Sequence, residues 1–110
     1  MIGRIQDRRT FERFRTDARR SRSGELWCAA LPDDAVQPPR LAFAIGKVVG
    51  SAVVRNRVRR RLRAIATANA DVLAPGSYLI GVRPGVTQCT FEELTEMFRS
   101  LFDRQPAERR

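Results

Sequence analysis

Between Ala35 and Ala70 the chain carries no Asp or Glu, yet it holds Arg40, Lys47, Arg55, Arg57, Arg59, Arg60, Arg61 and Arg63. The second half of that stretch also repeats apolar residues at helical spacing. At about 100° per residue, Val54, Val58, Leu62 and Ile65 fall within a stripe of about 80°. Arg55, Asn56, Arg59, Arg60 and Arg63 cover the adjoining and opposite arc. Ser51 is a natural N-cap, so the spacing predicts a helix from Ala52 to about Asn69. Such a helix must lay its stripe on a sheet or another helix and turn its guanidinium groups outward. Exposed helix faces normally mix signs, as the segment with Glu92, Glu93, Glu96 and Arg99 does, and this one does not. Like charges one turn apart repel by a few tenths of a kcal/mol per pair. An anionic partner is the simplest compensation.

The rest of the chain sharpens that asymmetry. Residues 1–34 have a balance of +2 and residues 71–110 of −1, so nearly all of the formal charge of +9 lies in the middle. A one-sided positive field attracts a polyanion and makes binding depend on salt. All but one of the 21 basic residues are arginine, whose planar fork binds phosphate bidentately and stacks on bases. A GC-rich genome gives the same bias, so the choice of arginine alone names no ligand. No helix-turn-helix pair is visible, and the residues that open the helix, Ser51 to Val54, are poor readers of base edges. A broad basic face beside an open sheet suits RNA backbone and single strands.

At 110 residues and 43% hydrophobic, the sequence predicts one domain over 1–110, with a frayed tail from about residue 104. Asp7 or Thr10 is placed to cap a short helix with Phe11, Phe14 and Ala18 on one face. Ser21 to Glu25 reads as a turn, Leu26 to Leu31 as a strand, Pro32 to Pro39 as a loop, and Leu41 to Ile45 as a second strand. Leu41, Phe43 and Ile45 share one face of that strand. Ala42 and Ala44 share the other, where small side chains leave room for a ligand. After the arginine helix, Tyr78 to Val82 is a third strand, and Thr90 caps a last helix striped by Phe91, Leu94, Phe98, Leu101 and Phe102. The order helix, strand, strand, helix, strand, helix predicts an α+β sandwich, a small sheet covered by helices.

Several functions are disfavoured by what is missing. Catalysis by the protein needs clustered carboxylates, or a histidine or comparable acid/base pair. The chain has no His, and its adjacent acids are only Asp33–Asp34 in a proline-rich loop and Glu92–Glu93 at a helix start. No catalytic or metal-ligating residue is therefore expected. Cys28 and Cys89, 61 residues apart, fit neither a zinc pattern nor a disulfide framework and are expected as reduced thiols. No apolar run approaches the roughly 20 residues of a bilayer span, and the N-terminus lacks a signal-peptide core. A cytoplasmic protein is expected, with no membrane association and no obligate protein partner.

The segment Gly46-Lys47-Val48-Val49-Gly50-Ser51-Ala52-Val53-Val54-Arg55-Asn56-Arg57-Val58-Arg59-Arg60-Arg61-Leu62-Arg63 closely resembles the signature of the protein subunit of bacterial ribonuclease P. Phe11 with its basic surroundings, the Pro39-Arg40-Leu41-Ala42-Phe43 strand, the run from Pro75 to Pro84 and the Phe91-Glu92-Glu93-Leu94 helix start occur in the family's order. The resemblance covers about residues 4–103. It implies a small mixed β-sheet with a left-handed βαβ crossover between parallel strands. It also implies an RNA-binding subunit that assists a catalytic RNA in removing the 5′ leader from precursor tRNA, with Mg2+ held mainly by the RNA. By this likeness Lys47, Arg55, Asn56, Arg59, Arg60 and Arg63 contact the ribozyme, and Phe11, Phe14, Ala42 and Ala44 line the leader-binding cleft. The family usually has a second lysine where this chain has Val48, and commonly an aliphatic residue where it has Phe14. Composition and charge fit a structural RNA-binding protein without enzymatic association equally well. An aromatic pair one turn apart, such as Phe11 and Phe14, belongs to a core more often than to a stacking platform.

Overall fold

The computed structural model describes residues 2–102, so the predicted frayed tail from residue 104 lies outside the described residues. Five strands form one mixed sheet: β1 (Gly3–Arg4), β2 (Arg19–Ser23), β3 (Leu26–Pro32), β4 (Arg40–Ala44) and β5 (Gly76–Val82). Their order across the sheet is β1-β4-β5-β3-β2. Three helices cover it, α1 (Arg8–Thr16), α2 (Ala52–Ala68) and α3 (Phe91–Phe102). Single 3-10 turns at Lys47–Val49, Ala70–Val72 and Pro84–Gln88 join the larger pieces.

β5 lies at the centre, parallel to β4 and antiparallel to β3. Its run Tyr78-Leu79-Ile80-Gly81-Val82 is apolar throughout because both of its faces are covered. β4 and β5 are parallel neighbours joined through α2, so the chain makes a βαβ crossover there. Side chains alternate across the sheet, which gives it two cores. Leu41, Tyr78, Ile80, Cys28 and Leu26 face α2 and α3, meeting Val58, Leu62 and Ile65 from the first and Leu94, Phe98 and Leu101 from the second. Ala29 and Leu31 face the other way with Ala42 and Leu79, and Phe14 of α1 closes that smaller core together with Ile5.

The stripe predicted on α2 is the face that packs. Val58, Leu62 and Ile65 are buried, while Val54 is half-buried against Gly50. Each fully buried Leu or Ile contributes about 1.5–3 kcal/mol relative to exposure. The helix begins where Ser51 Oγ accepts from Val54 N at 3.3 Å. α3 begins with a reciprocal cap, Thr90 Oγ1 accepting from Glu93 N and Glu93 Oε1 accepting from Thr90 N. Phe91 was expected on the α3 stripe but stands exposed; Phe102 completes the stripe, edge-on to Tyr78 with ring centroids 5.5 Å apart.

Three further expectations are corrected. The stretch Ser21 to Glu25 is mostly strand: β2 pairs in full with β3, and the turn is confined to Gly24 and Glu25. Its sequence, Arg-Arg-Ser-Arg-Ser, has no apolar alternation because it is an edge strand whose charges discourage further pairing. β1 is added on the opposite edge, its two residues aligned with Arg40 and Leu41. Finally, α1 stops at Thr16, so Ala18 lies beyond the helix, although it still packs against the smaller core.

Candidate nucleic-acid interface

α2 packs its apolar stripe onto the sheet, and its other side therefore presents arginine to solvent. Asn56 and Arg60 are exposed, while Arg55, Arg59 and Arg63 are half-buried. Partial burial of the stem with an exposed head is how long cationic side chains rest on apolar surface. Three of these groups are held in place by neighbours that leave their charge uncancelled. Arg55 Nε donates to Gly50 O at 3.2 Å, and Arg59 Nη1 donates to Asn56 Oδ1 at 2.8 Å. The Arg63 guanidinium carbon sits 5.2 Å from the centroid of the Phe43 ring. Such a cation–π pair fixes a guanidinium without neutralising it.

The ion pairs of the described residues are Arg13–Asp17, Arg40–Asp7, Arg83–Glu25 and Arg99–Asp71. None involves an arginine of α2, so that face keeps its full positive charge. Lys47 is exposed in the 3-10 turn just before α2, next to Val48, which is 74% exposed where the resembling family usually has lysine. The structure therefore places Lys47, Arg55, Asn56, Arg59, Arg60 and Arg63 along one helix and the turn that leads into it.

The second set of expected residues lies across the sheet from α2. Ala42 and Ala44 are half-buried on the α1 side of β4. In register with Ala42 stand Leu79 and Ala29, and in register with Ala44 stand Gly81 and Trp27. Phe11 is 40% exposed on α1 and meets Phe14 edge-on with ring centroids 6.0 Å apart. Phe14 is 2% exposed, with its ring committed to the core beneath α1. It supports Phe11 and offers no free face of its own for a base.

Trp27, which the sequence shows only as one position of the Leu26 to Leu31 strand, forms part of this surface. A Cβ placed on Gly81 would lie 1.9 Å from the Trp27 indole, so the ring occupies the space directly over the backbone of β5 at Gly81. It is half-buried, and β2 sets Arg20 and Arg22 in register with Ala29 and Trp27. Arg20 Nη2 donates to Phe14 O at 3.1 Å, which ties β2 to the end of α1. The result is a shallow aromatic and small-residue floor with arginine along one side. Nothing in the sequence signals this grouping, because it depends on strand register.

Among the described residues, no three His, Cys, Asp or Glu side chains come together as metal ligands. Cys28 and Cys89 are free thiols, and burial pushes Cys28 up to about 12, which keeps it protonated and unreactive. No described helix is long and apolar enough to cross a membrane.

The chain is 42% identical over 89 residues to the ribonuclease P protein component of Clavibacter michiganensis subsp. michiganensis, covering 78% of this chain and 77% of that one. It is 49% identical over 51 residues to the corresponding protein of Beutenbergia cavernae, covering 46% of this chain and 43% of that one. The fold resembles that of the RNase P protein from Thermotoga maritima, with a TM-score of 0.81 at 20% identity over 93% of this chain and 96% of that one. The family model described as Ribonuclease P matches residues 3–105, so the chain belongs to the ribonuclease P protein family.

Proposed function

We propose that this protein is the RNA-binding subunit of ribonuclease P, and that it assists a catalytic RNA in removing the 5′ leader from precursor tRNA. The observation that carries the reading is α2, an arginine face with no acidic partner among the described residues, in a chain of this family. Lys47, Arg55, Asn56, Arg59, Arg60 and Arg63 bind phosphates of the ribozyme, and each neutralised phosphate releases counterions. Arg55 and Arg59 are already held by Gly50 and Asn56, so less side-chain freedom is lost on binding. On the other side of the sheet, the leader lies along Ala42 and Ala44 between Phe11 and Trp27, with Phe14 as support. Unstacked bases rest on exposed aromatic rings, and the small alanines admit the backbone.

Hydrolysis belongs to the RNA in this reading, with Mg2+ held mainly by RNA phosphates. The protein's side chains bring no metal-ligand cluster among the described residues. By neutralising phosphate repulsion, the protein lowers the magnesium concentration that the RNA needs. The test is cleavage of precursor tRNA by the cognate ribonuclease P RNA at low magnesium, with the wild-type protein and with an Arg59→Glu/Arg60→Glu variant. Wild type restores cleavage and the double variant does not. Tight RNA binding by the wild type without stimulation would instead identify a structural RNA-binding protein with no enzymatic association.

A further inference from the structure

On the α2 side of the sheet, a recess of about 240 Å3 opens between the C-terminal half of α2 and the edge formed by β1 and β4. It lies beside β1, a strand of only two residues. Ile2, Leu41 and Ala66 form its apolar floor, and Phe43 forms a wall. Arg4, Arg63 and Thr67 complete the lining. Neither arginine has an acidic partner among the described residues. Arg63 is the same guanidinium that rests over Phe43.

We propose that this recess holds a single unstacked nucleotide of the catalytic RNA, its base against Phe43 and the apolar floor and its phosphate between Arg4 and Arg63. The inference rests on the reading of α2 as the ribozyme-binding face. A free phosphate gains nothing from a floor of Leu, Ile and Ala, and an apolar ligand gains nothing from two unpaired arginines. A nucleotide matches both, because an aromatic ring and a guanidinium are the surfaces on which extruded bases stack. The volume is below the roughly 300–1,000 Å3 of pockets for drug-sized ligands, so it suits one base and not a stack. The recess shares Arg63 with the α2 face and lies across the sheet from Phe11 and Ala42. The ribozyme, and not the leader, is therefore the source of the nucleotide.

The test is a Thr67→Trp variant, which fills the recess from an exposed position without removing a charge. Binding of the full chain to its cognate ribonuclease P RNA is measured across a salt series, beside wild type and Arg59→Ala. Thr67→Trp is expected to bind about tenfold more weakly, the scale of one lost base stack, with the salt slope of wild type. Arg59→Ala lowers the slope instead. Chemical probing of the RNA should show one nucleotide protected by wild type and reactive with Thr67→Trp, while the thermal melt of the variant protein stays cooperative. Wild-type affinity and protection in Thr67→Trp would overturn the recess as a base site while leaving the α2 reading intact. Failure of the wild-type protein to bind the RNA would overturn both.

Discussion

At the scale of single residues, the tightest constraint is the approach of Trp27 to Gly81. Any side chain at Gly81 meets the indole, since even a Cβ would fall 1.9 Å from it. Gly81→Ala is expected to lift Trp27 off β5 and to cost about 1–3 kcal/mol, the usual cost of overpacking a filled site. The chain has a single tryptophan, so its fluorescence reports the displacement directly. A red-shifted emission and a lower melting temperature are the expected result, and an unchanged spectrum and melt would refute this account of the ring. Trp27 also shows why part of the site was hidden in the sequence. Position 27 and position 81 become neighbours only through the β3–β5 register, which no local pattern announces. Phe11 and Phe14 differ for a similar reason: their spacing places both on the sheet side of α1, but only the packed helix decides which ring is covered.

At the scale of elements, legibility followed period. α2, α3, β4 and β5 carry their own apolar spacing and emerge from the sequence near their observed bounds. β1 and β2 do not, because an edge strand is defined by its partner; Arg19–Ser23 is a strand only because β3 lies beside it. α1 has a different dependence, on its cap. Asp7 Oδ2 accepts from Thr10 Oγ1 at 2.6 Å and from Thr10 N at 3.0 Å, and Arg40 Nη1 lies 3.5 Å from Oδ1. The Thr10 side-chain hydrogen bond foremost, then its backbone N–H and more weakly the Arg40 charge, hold the Asp7 carboxyl below its usual value of 3.8. A lowered folded value means that the favourable contribution is complete above the unfolded value and is lost as pH falls through the folded one. Asn at position 7 keeps an accepting oxygen and removes the titration. Asp7→Asn is thus expected to lose less thermal stability than wild type as pH falls from about 4, the value of an unperturbed aspartate, through the lower folded value. Parallel melting curves across that range would argue against this cap.

At the scale of the whole molecule, the charge segregation visible in the sequence survives folding because α2 is continuous. Its arginines reach one surface without help from register, which is why the arginine face is legible in residue spacing, whereas the candidate cleft residues Phe11, Phe14, Ala42 and Ala44 are expected mainly from the family resemblance and Trp27 is not expected at all. Removing one phosphate-binding arginine is expected to lower the slope of log K against log salt by about 0.7–0.9. Arg60→Ala should show that change. Arg99→Ala should not, because Arg99 already pairs with Asp71 at 3.2 Å on the exterior of α3. Equal slopes for the two variants would place the RNA elsewhere.

The sheet keeps its two coated faces a fixed thickness apart, with α2 on one and α1 on the other. In the proposed complex it acts as a rigid spacer between two stretches of RNA. Once the ribozyme is seated on the arginine side, the leader is no longer a diffusing ligand. It becomes a tethered neighbour whose capture depends on the reach of the intervening RNA, because linkage turns the second binding event into an intramolecular one. In that complex the protein sets, by position alone, which cleavage junctions the ribozyme dwells on.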